Sequence, residues 1–357
     1  MKENRVQKVV HEMRARGLSQ LIITAPASVF YLTGKWVYPF ERMLALYVND
    51  KGETKLYGNR LFVLKGNVDA DLVEFDDTDD CVKILADGVA PGTIGIDKAW
   101  PAHFLIRLME ARPDIRPVVG SPAVDAARLI KDEEELRLMR ESSRKNDETI
   151  EATIAALRRG MTELEVAKIY LQEAAARGAS GPSFEPLVCY GPNCADPHHG
   201  SDDVTRLKDG DSVILDVGLT WQDYCSDMTR TVFCGEPSDE QKRVYELVRA
   251  ANAAGRAAVR PGVPVSEVDR AARKVIEDAG YGKYFIHRTG HGIGLEEHEF
   301  PDVSATGQAI CTPGMCFSVE PGIYLPGKFG VRVEDLVVVT EDGCDTINAV
   351  PRELRVI

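Results

Sequence analysis

Four carboxylates and one imidazole stand where strands are expected. Asp216 and Asp227 lie in DSVILDVGLTWQDYCSDMTRTVFC, from Asp211 to Cys234. That stretch reads as two strands rich in β-branched and apolar residues with a tight reversal between them. Centring the reversal between Trp221 and Gln222 puts Asp216 directly opposite Asp227, with Cβ atoms about 5 Å apart on one face. Like charges facing each other cost stability unless something neutralises them, and one or two divalent cations would do so. With the turn centred elsewhere, both would be ordinary solvated strand aspartates. His291 sits in TGHGIGLEEHE, where Gly290, Gly292 and Gly294 allow a close backbone approach. Glu320 ends the apolar run MCFSVEPG, and Glu334 lies in GVRVEDLVVV. Carboxylates inside apolar strands are costly to bury unless paired, as Glu334 could be with Arg332, or bound to metal.

This donor set suits two divalent metals of fairly hard character, Mn²⁺ first, with Co²⁺, Zn²⁺ or Fe²⁺ as alternatives. A two-metal site with a bridging water makes hydroxide at neutral pH and polarises a carbonyl or phosphoryl oxygen. The expected chemistry is therefore hydrolysis of an amide or a phosphoester. No basic cluster for phosphate accompanies these motifs, which favours the amide.

The elements that must position these residues divide in two. From the N-terminus the chain reads as a helix over 4–16, strands at 20–24, 43–49, 54–58 and 71–75, a helix at 79–87, a strand at 93–96 and a helix at 101–112. That alternation is α/β. A long charged helix is expected from Lys131 to about Arg159, ended by Gly160. The domain boundary falls at 121–131, which gives domains of 1–125 and 126–357. The second domain reads as helices 162–177 and 238–259, opened by the capping boxes Thr162…Glu165 and Ser238…Gln241. A helix at 265–279 and strands at 185–190, 285–290, 315–320 and 331–339 complete it. Helices and strands are segregated there, an α+β arrangement.

A chain of 357 residues is long enough for two domains, and 44% apolar content is ordinary for a globular protein. A net charge of −13 argues against nucleic acid or an anionic membrane as partner. The N-terminal MKENRVQKVV lacks an apolar signal core, so a cytoplasmic location is expected. The eight cysteines include no CxxC pair and read as reduced thiols.

Together LDVGLTWQDYCSDMTRT, HRTGHGIGLEEHE, SVEPGIY and GVRVED resemble the pita-bread metallopeptidases: methionine aminopeptidases, Xaa-Pro aminopeptidases and Xaa-Pro dipeptidases (prolidases). All five ligand types stand in the family's order and spacing: eleven residues from Asp216 to Asp227, twenty-nine from His291 to Glu320, fourteen from Glu320 to Glu334. FYLTG at 30–34 and PFERMLALYV at 39–48 are similar to the N-terminal domain of the prolidase, Xaa-Pro aminopeptidase and creatinase branch. The resemblance implies an α/β, ribonuclease-H-like N-terminal domain serving oligomerisation and substrate access, an α+β pita-bread catalytic domain, and a homodimer.

It also implies roles. Asp216 would chelate one metal and His291 the other, with Asp227 and Glu334 bridging both. Glu320 would ligate and shuttle a proton to the leaving nitrogen. His298 would hydrogen-bond the carbonyl as it becomes tetrahedral. One of His198 and His199, in ADPHHG, would contact substrate: counting back from Asp216 favours His199, and the Pro-His context favours His198. Substrates would be small peptides with proline in second position. Candidates for an apolar proline slot are Phe285, Phe300 and Tyr324, and Trp36 and Tyr38 could line a partner's pocket. Prolidases often carry an Arg shortly after the HE of the His motif, for a free proline carboxylate. Here HEFPDVSA places Asp302 near that position, leaving Arg332 and Arg288 to bind substrate. The resemblance points to an Xaa-Pro dipeptidase, with an Xaa-Pro aminopeptidase acting on longer peptides as the alternative. Metal-free creatinase-like and purely binding relatives exist, but retention of all five ligand types argues against both. A dinuclear phosphoesterase rests on the ligand set alone.

Overall fold

The structure is a computed structural model that describes all 357 residues. The chain divides into two compact units, Met1–Arg128 and Leu129–Ile357. No helix is long and apolar enough to cross a membrane.

The first unit contains α1 (Glu3–Ala15), β1 (Gln20–Ile23), α2 (Pro26–Thr33), β2 (Leu44–Asn49), β3 (Thr54–Asn59), β4 (Leu72–Phe75), α3 (Cys81–Gly88), β5 (Gly92–Ile96), α4 (Ala102–Ala111) and β6 (Ile115–Val119); α5 (Ser121–Leu129) runs up to the boundary. Its six strands form one mixed sheet in the order β4-β3-β2-β1-β5-β6. The sequence reading lacks α2, α5 and β6. All three are short, and β6 carries Arg116 and Pro117 where an apolar run would announce a strand.

The second unit follows with α6 (Glu133–Ala156), α7 (Glu163–Ala176), β7 (Gly181–Pro182), β8 (Leu187–Tyr190), β9 (Ser212–Val217), β10 (Leu219–Trp221), β11 (Tyr224–Cys225), β12 (Met228–Phe233), α8 (Asp239–Ala258), α9 (Val265–Asp278), β13 (Gly290–Gly292), β14 (Glu299–Val303), β15 (Cys316–Val319), β16 (Gly322–Leu325), β17 (Phe329–Arg332), β18 (Asp335–Val339) and β19 (Cys344–Thr346). Both expected capping boxes form, at Thr162/Glu165 and Ser238/Gln241, and a third, Asp132/Glu135, opens α6. Helix α6 ends at Ala156, short of Gly160, because Leu157 is already extended. Ile150, Ile154, Val166 and Tyr170 of α6 and α7 pack on Val188, Val213, Leu215 and Val232 of the sheet β12-β9-β8. A five-stranded sheet, β14-β13-β15-β18-β19, packs on α9 through Val265, Val268, Phe317 and Val337. The second unit is thus α+β, its strands gathered between helices.

Two strand readings need correction. Residues 285–290 do not form a strand; a short 3-10 turn occupies Gly282–Tyr284, and β13 begins only at Gly290. Residues 331–339 are two strands in different sheets, β17 paired with β16 and β18 with β15. The break falls at Val333–Glu334, where Glu334 N donates to Thr229 O at 3.1 Å instead of continuing either ladder.

Candidate active site

The hairpin turn lies one position later than expected. Thr220 pairs with Cys225 and Trp221 with Tyr224, so Gln222 and Asp223 form the turn. Both have positive φ, 45° and 73°, as a two-residue turn of the primed type demands. Asp216 therefore faces Thr229, not Asp227. The error shifts the partner by two residues, which preserves the face. Asp227 remains a diagonal neighbour of Asp216 on the same side of the sheet. Where β9 gives way to β10, a Cβ on Gly218 would lie 2.2 Å from Ser226 O, so only glycine lets the opposed arm come this close.

His291 is central in β13. The glycines beside it serve the sheet: a Cβ on Gly290 would lie 1.9 Å from Ser318 O, and one on Gly292 would lie 2.3 Å from Phe300 O. The imidazole is fixed by Nδ1 donating to Gly292 O at 3.1 Å, which aims Nε2 at the carboxylates. Nε2 is 3.4 Å from Glu320 Oε1 and 3.6 Å from Asp227 Oδ2. Ligating atoms of Asp227, His291 and Glu334 all lie within 4.8 Å of one another. Thr229 Oγ1 sits 2.7 Å from Glu334 Oε2 and 3.0 Å from Asp216 Oδ1 and ties the two together. The geometry thus brings Asp216, Asp227, His291, Glu320 and Glu334 into one cluster contributed by separate strand ends.

Whether a cation fits is decided by the buried oxygens. Asp227 Oδ1 and Glu334 Oε1 are buried and have no hydrogen-bond partner. Such orphaned acceptors are uncommon and each costs about 1–3 kcal/mol. Burial, followed by repulsion from Glu334, pushes the Asp227 carboxyl well above its ordinary range. Burial, followed by Glu320, does the same to Glu334. Glu320 is pushed up to about 7, mainly by burial. A cluster that ionises so reluctantly on its own fits divalent cations, whose charge reverses this balance.

These groups line a cavity of about 420 Å³ together with Phe184, Leu187, His198, His287, Arg288, Glu297, His298 and Arg332. Of the two adjacent histidines, His198 faces the cavity, whereas His199 turns away and bonds Glu163 at 3.0 Å. The His298 ring stands edge-on to His291 with centroids 4.1 Å apart. Arg332 is 3% exposed and its guanidinium is committed to Asp216, Thr229, Tyr324 and the Pro197 carbonyl. Arg288 is more accessible and pairs with Asp302 at 2.9 Å. None of Phe285, Phe300 and Tyr324 lines the cavity: Phe285 is core, Phe300 faces outward, and Tyr324 is buried. The apolar wall is Phe184 and Leu187 instead.

Sequence reasoning also missed a relay. Arg332 donates to Tyr324 Oη at 3.0 Å, Tyr324 Oη donates to His287 Nε2 at 2.8 Å, and His287 Nδ1 donates to Arg288 O at 2.7 Å. Burial, then Arg332, lowers His287 to about 3, so it is neutral. Glu297, which also lines the cavity, is raised to about 7 by burial and then by Asp216. His287 stands four residues before His291, a spacing that in a strand-rich segment signals nothing, whereas Glu297 lies beside His298 in the motif itself.

Residues 137–341 match the family model for Metallopeptidase family M24, and residues 5–130 match the Creatinase/Prolidase N-terminal domain. The chain is 38% identical over 351 residues to the probable dipeptidase PepE of Mycobacterium tuberculosis, covering 96% of this chain and 92% of that protein. It is similar to the crystal structure of a dipeptidase from Pyrococcus horikoshii OT3, with 35% identity, a TM-score of 0.93, and coverage of 99% of this chain and 100% of that one. A recombinant prolidase from Thermococcus sibiricus gives 33% identity and a TM-score of 0.94, with 100% and 99% covered.

Proposed function

The chain belongs to metallopeptidase family M24, and from that premise we propose that it is an Xaa-Pro dipeptidase, splitting the bond before a C-terminal proline. The observation that carries the hydrolytic reading is the pair of buried, unpartnered oxygens, Asp227 Oδ1 and Glu334 Oε1, beside His291. Two divalent cations held by Asp216, Asp227, His291, Glu320 and Glu334, with Mn²⁺ favoured by the carboxylate content, would supply an activated water and polarise the scissile carbonyl. The protein's own groups do the rest. Arg332 and Thr229 hold Asp216, and Thr229 also holds Glu334, which keeps those carboxylates aimed inward. Glu320 takes a proton from the attacking water and delivers it to the proline nitrogen, a tertiary amide nitrogen that cannot leave unprotonated. The C–O bond forms first and the carbonyl carbon becomes tetrahedral; the C–N bond then breaks as the nitrogen takes the proton, and the free imino acid departs. His198 and His298 donate to the carbonyl oxygen as it gains charge. Phe184 and Leu187 take the proline ring.

The dipeptide assignment is supported by cavity size, by Arg288, and by the dipeptidases and prolidase among the relatives. About 420 Å³ lies at the small end of ligand sites. Arg288 is the accessible cation in it for a free proline carboxylate. The Arg288–Asp302 pair favours a second reading, because a guanidinium already neutralised reads a carboxylate poorly; that reading is an Xaa-Pro aminopeptidase for longer peptides. A mass-spectrometric assay with added Mn²⁺ separates them. Cleavage of Ala-Pro with Ala-Pro-Ala-Ala left intact supports the dipeptidase, and cleavage of the tetrapeptide alone replaces it with the aminopeptidase. We place the enzyme in the cytoplasm as a homodimer. All eight cysteines are free thiols, and Tyr38 and Phe40, 60% and 82% exposed, offer the first unit an apolar contact surface.

A further inference from the structure

Glu163 is the first residue of α7 and is wholly buried, yet it carries a carboxylate. Its Oε1 accepts from Tyr190 N at 2.8 Å and Asn193 Nδ2 at 3.0 Å. Its Oε2 accepts from His199 Nε2 at 3.0 Å and Asp202 N at 3.1 Å. All four donors belong to one segment, 190–202, which leaves β8 and carries His198 to the cavity. Glu163, His199 and Asp202 are close enough together to raise the question of a cation. The hydrogen bonds answer it. A carboxylate has about four lone-pair sites, and N–H groups already occupy all of them here. A cation on Oε2 would have to displace the Asp202 backbone amide and the His199 ring N–H. This carboxylate is spent on holding protein.

What it holds bears on catalysis. Arg332 donates to Pro197 O at 3.3 Å, on the cavity side of the segment. His198 N donates to Asp196 Oδ1 at 3.0 Å. The next residue, His199, points the opposite way and is gripped by Glu163. His198, itself exposed, is thus held through the backbone immediately before and immediately after, which sets the direction in which its side chain leaves the chain. We propose that the Glu163–His199 contact is a clamp that positions His198 against the substrate carbonyl. The proposal rests on the reading of His198 as a substrate-contacting group. Misplacing such a group by about 1 Å can cost about 100-fold in rate.

A double-mutant cycle tests it, using Mn²⁺-loaded full-length enzyme and whichever of Ala-Pro and Ala-Pro-Ala-Ala it cleaves better. His199→Ala should lower kcat about tenfold, with KM, metal content and melting temperature close to wild type. His199→Gln, whose amide can still donate to Glu163, should recover most of the loss. In a His198→Ala background, His199→Ala should cost nothing further, because the group it positions is gone. An equal tenfold loss with and without His198 overturns the clamp and leaves His199 a general structural residue. Wild-type kcat in His199→Ala overturns it too. Wild-type kcat in His198→Ala overturns both the clamp and the role of His198, while the metal-ligand reading stands. If His199→Ala fails to fold, His199→Phe keeps the ring and loses the donor, and takes its place in the cycle with the same outcomes.

Discussion

Replacing Asp227 by Asn should make the protein more stable than wild type without metal and less stable than wild type with it. Asp227 is 3% exposed, its Oδ1 has no partner, and its Oδ2 lies 3.6 Å from His291 Nε2. Four other carboxylates, Glu334, Asp216, Glu320 and Glu297, push on it. An unpartnered buried acceptor costs about 1–3 kcal/mol, and more when charged. Asparagine keeps the shape, removes the charge, and gains an N–H that can donate towards Glu334, whose ligating oxygen belongs to the same 4.8 Å cluster. In EDTA the Asn variant should therefore be more stable than wild type by about 1–3 kcal/mol, a rise of several degrees in Tm for a unit of this size. Added Mn²⁺ at about 100 times its Kd stabilises wild type by about 2.7 kcal/mol. The variant has lost a bridging oxygen and should gain far less, so the two melting temperatures cross.

Calorimetric melts with EDTA and with Mn²⁺, paired with elemental analysis, measure this directly. The variant should also hydrolyse no Ala-Pro. An Asn variant that melts below wild type in EDTA would mean that Asp227 stabilises the fold, and the argument from its orphaned oxygen would fail. A variant raised by Mn²⁺ as much as wild type would remove Asp227 from the metal site.

Other perturbations probe different parts. His298→Ala should lower kcat about 100-fold, within the range for losing one oxyanion donor, while elemental analysis finds metal unchanged; loss of metal would exchange its role with that of His291. Arg230→Met should cost about 3 kcal/mol in urea denaturation, because it takes from fully buried Asp335 one of its two hydrogen-bonded guanidiniums and leaves Arg352 with Arg256 at 3.6 Å. Asp147 has its carboxyl raised to about 6, mainly by burial, and its Oδ1 has no partner. A folded-state pKa above the unfolded value of about 3.9 means the fold holds the proton more tightly, so stability falls as pH climbs from about 4 to 6. Asp147→Asn should remove that loss, gaining about 2–3 kcal/mol at pH 7 in urea denaturation, with the gain shrinking towards zero at pH 4.

The clustered carboxylates and imidazole proposed as ligands were readable because each breaks a local rule in the same way: a carboxylate where an apolar strand wants none, or an imidazole between glycines. Asp216 and Asp227 survived a misplaced turn because strands have a period of two, so a partner shifted by two stays on its face. Choosing between His198 and His199 was beyond the sequence. They are adjacent, chemically identical, and separated only by what each side faces, the cavity for one and Glu163 for the other. Glu163 itself looked like an ordinary acid in a first helical turn, where the helix dipole welcomes one. The aromatic slot was misread for a related reason. Phe285 and Tyr324 are close to the motifs in sequence, but Phe285, after a 3-10 turn, packs into the core and Tyr324, in β16, joins the relay, and Phe184 comes from a segment with no motif at all.

The break between β17 and β18 joins these threads. Successive residues there face opposite ways, so Glu334 turns its carboxylate into the cavity and Asp335 turns its own into the protein. Asp335 receives Arg230 at 2.8 Å and Arg352 at 2.7 Å, while Arg230 also donates to the backbone carbonyl of Glu334. The costly inward carboxylate is therefore anchored through its own main chain by the well-paired outward one. A chain that gathers four carboxylates has to hold each against repulsion. Arg230 does so for Glu334 from behind, through its main-chain carbonyl, whereas Arg332 and Thr229 bond the two carboxylate oxygens of Asp216 directly. Asp227 Oδ1 and Glu334 Oε1 are buried without a hydrogen-bond partner, and acceptors of that kind fit the divalent cations proposed for this cluster.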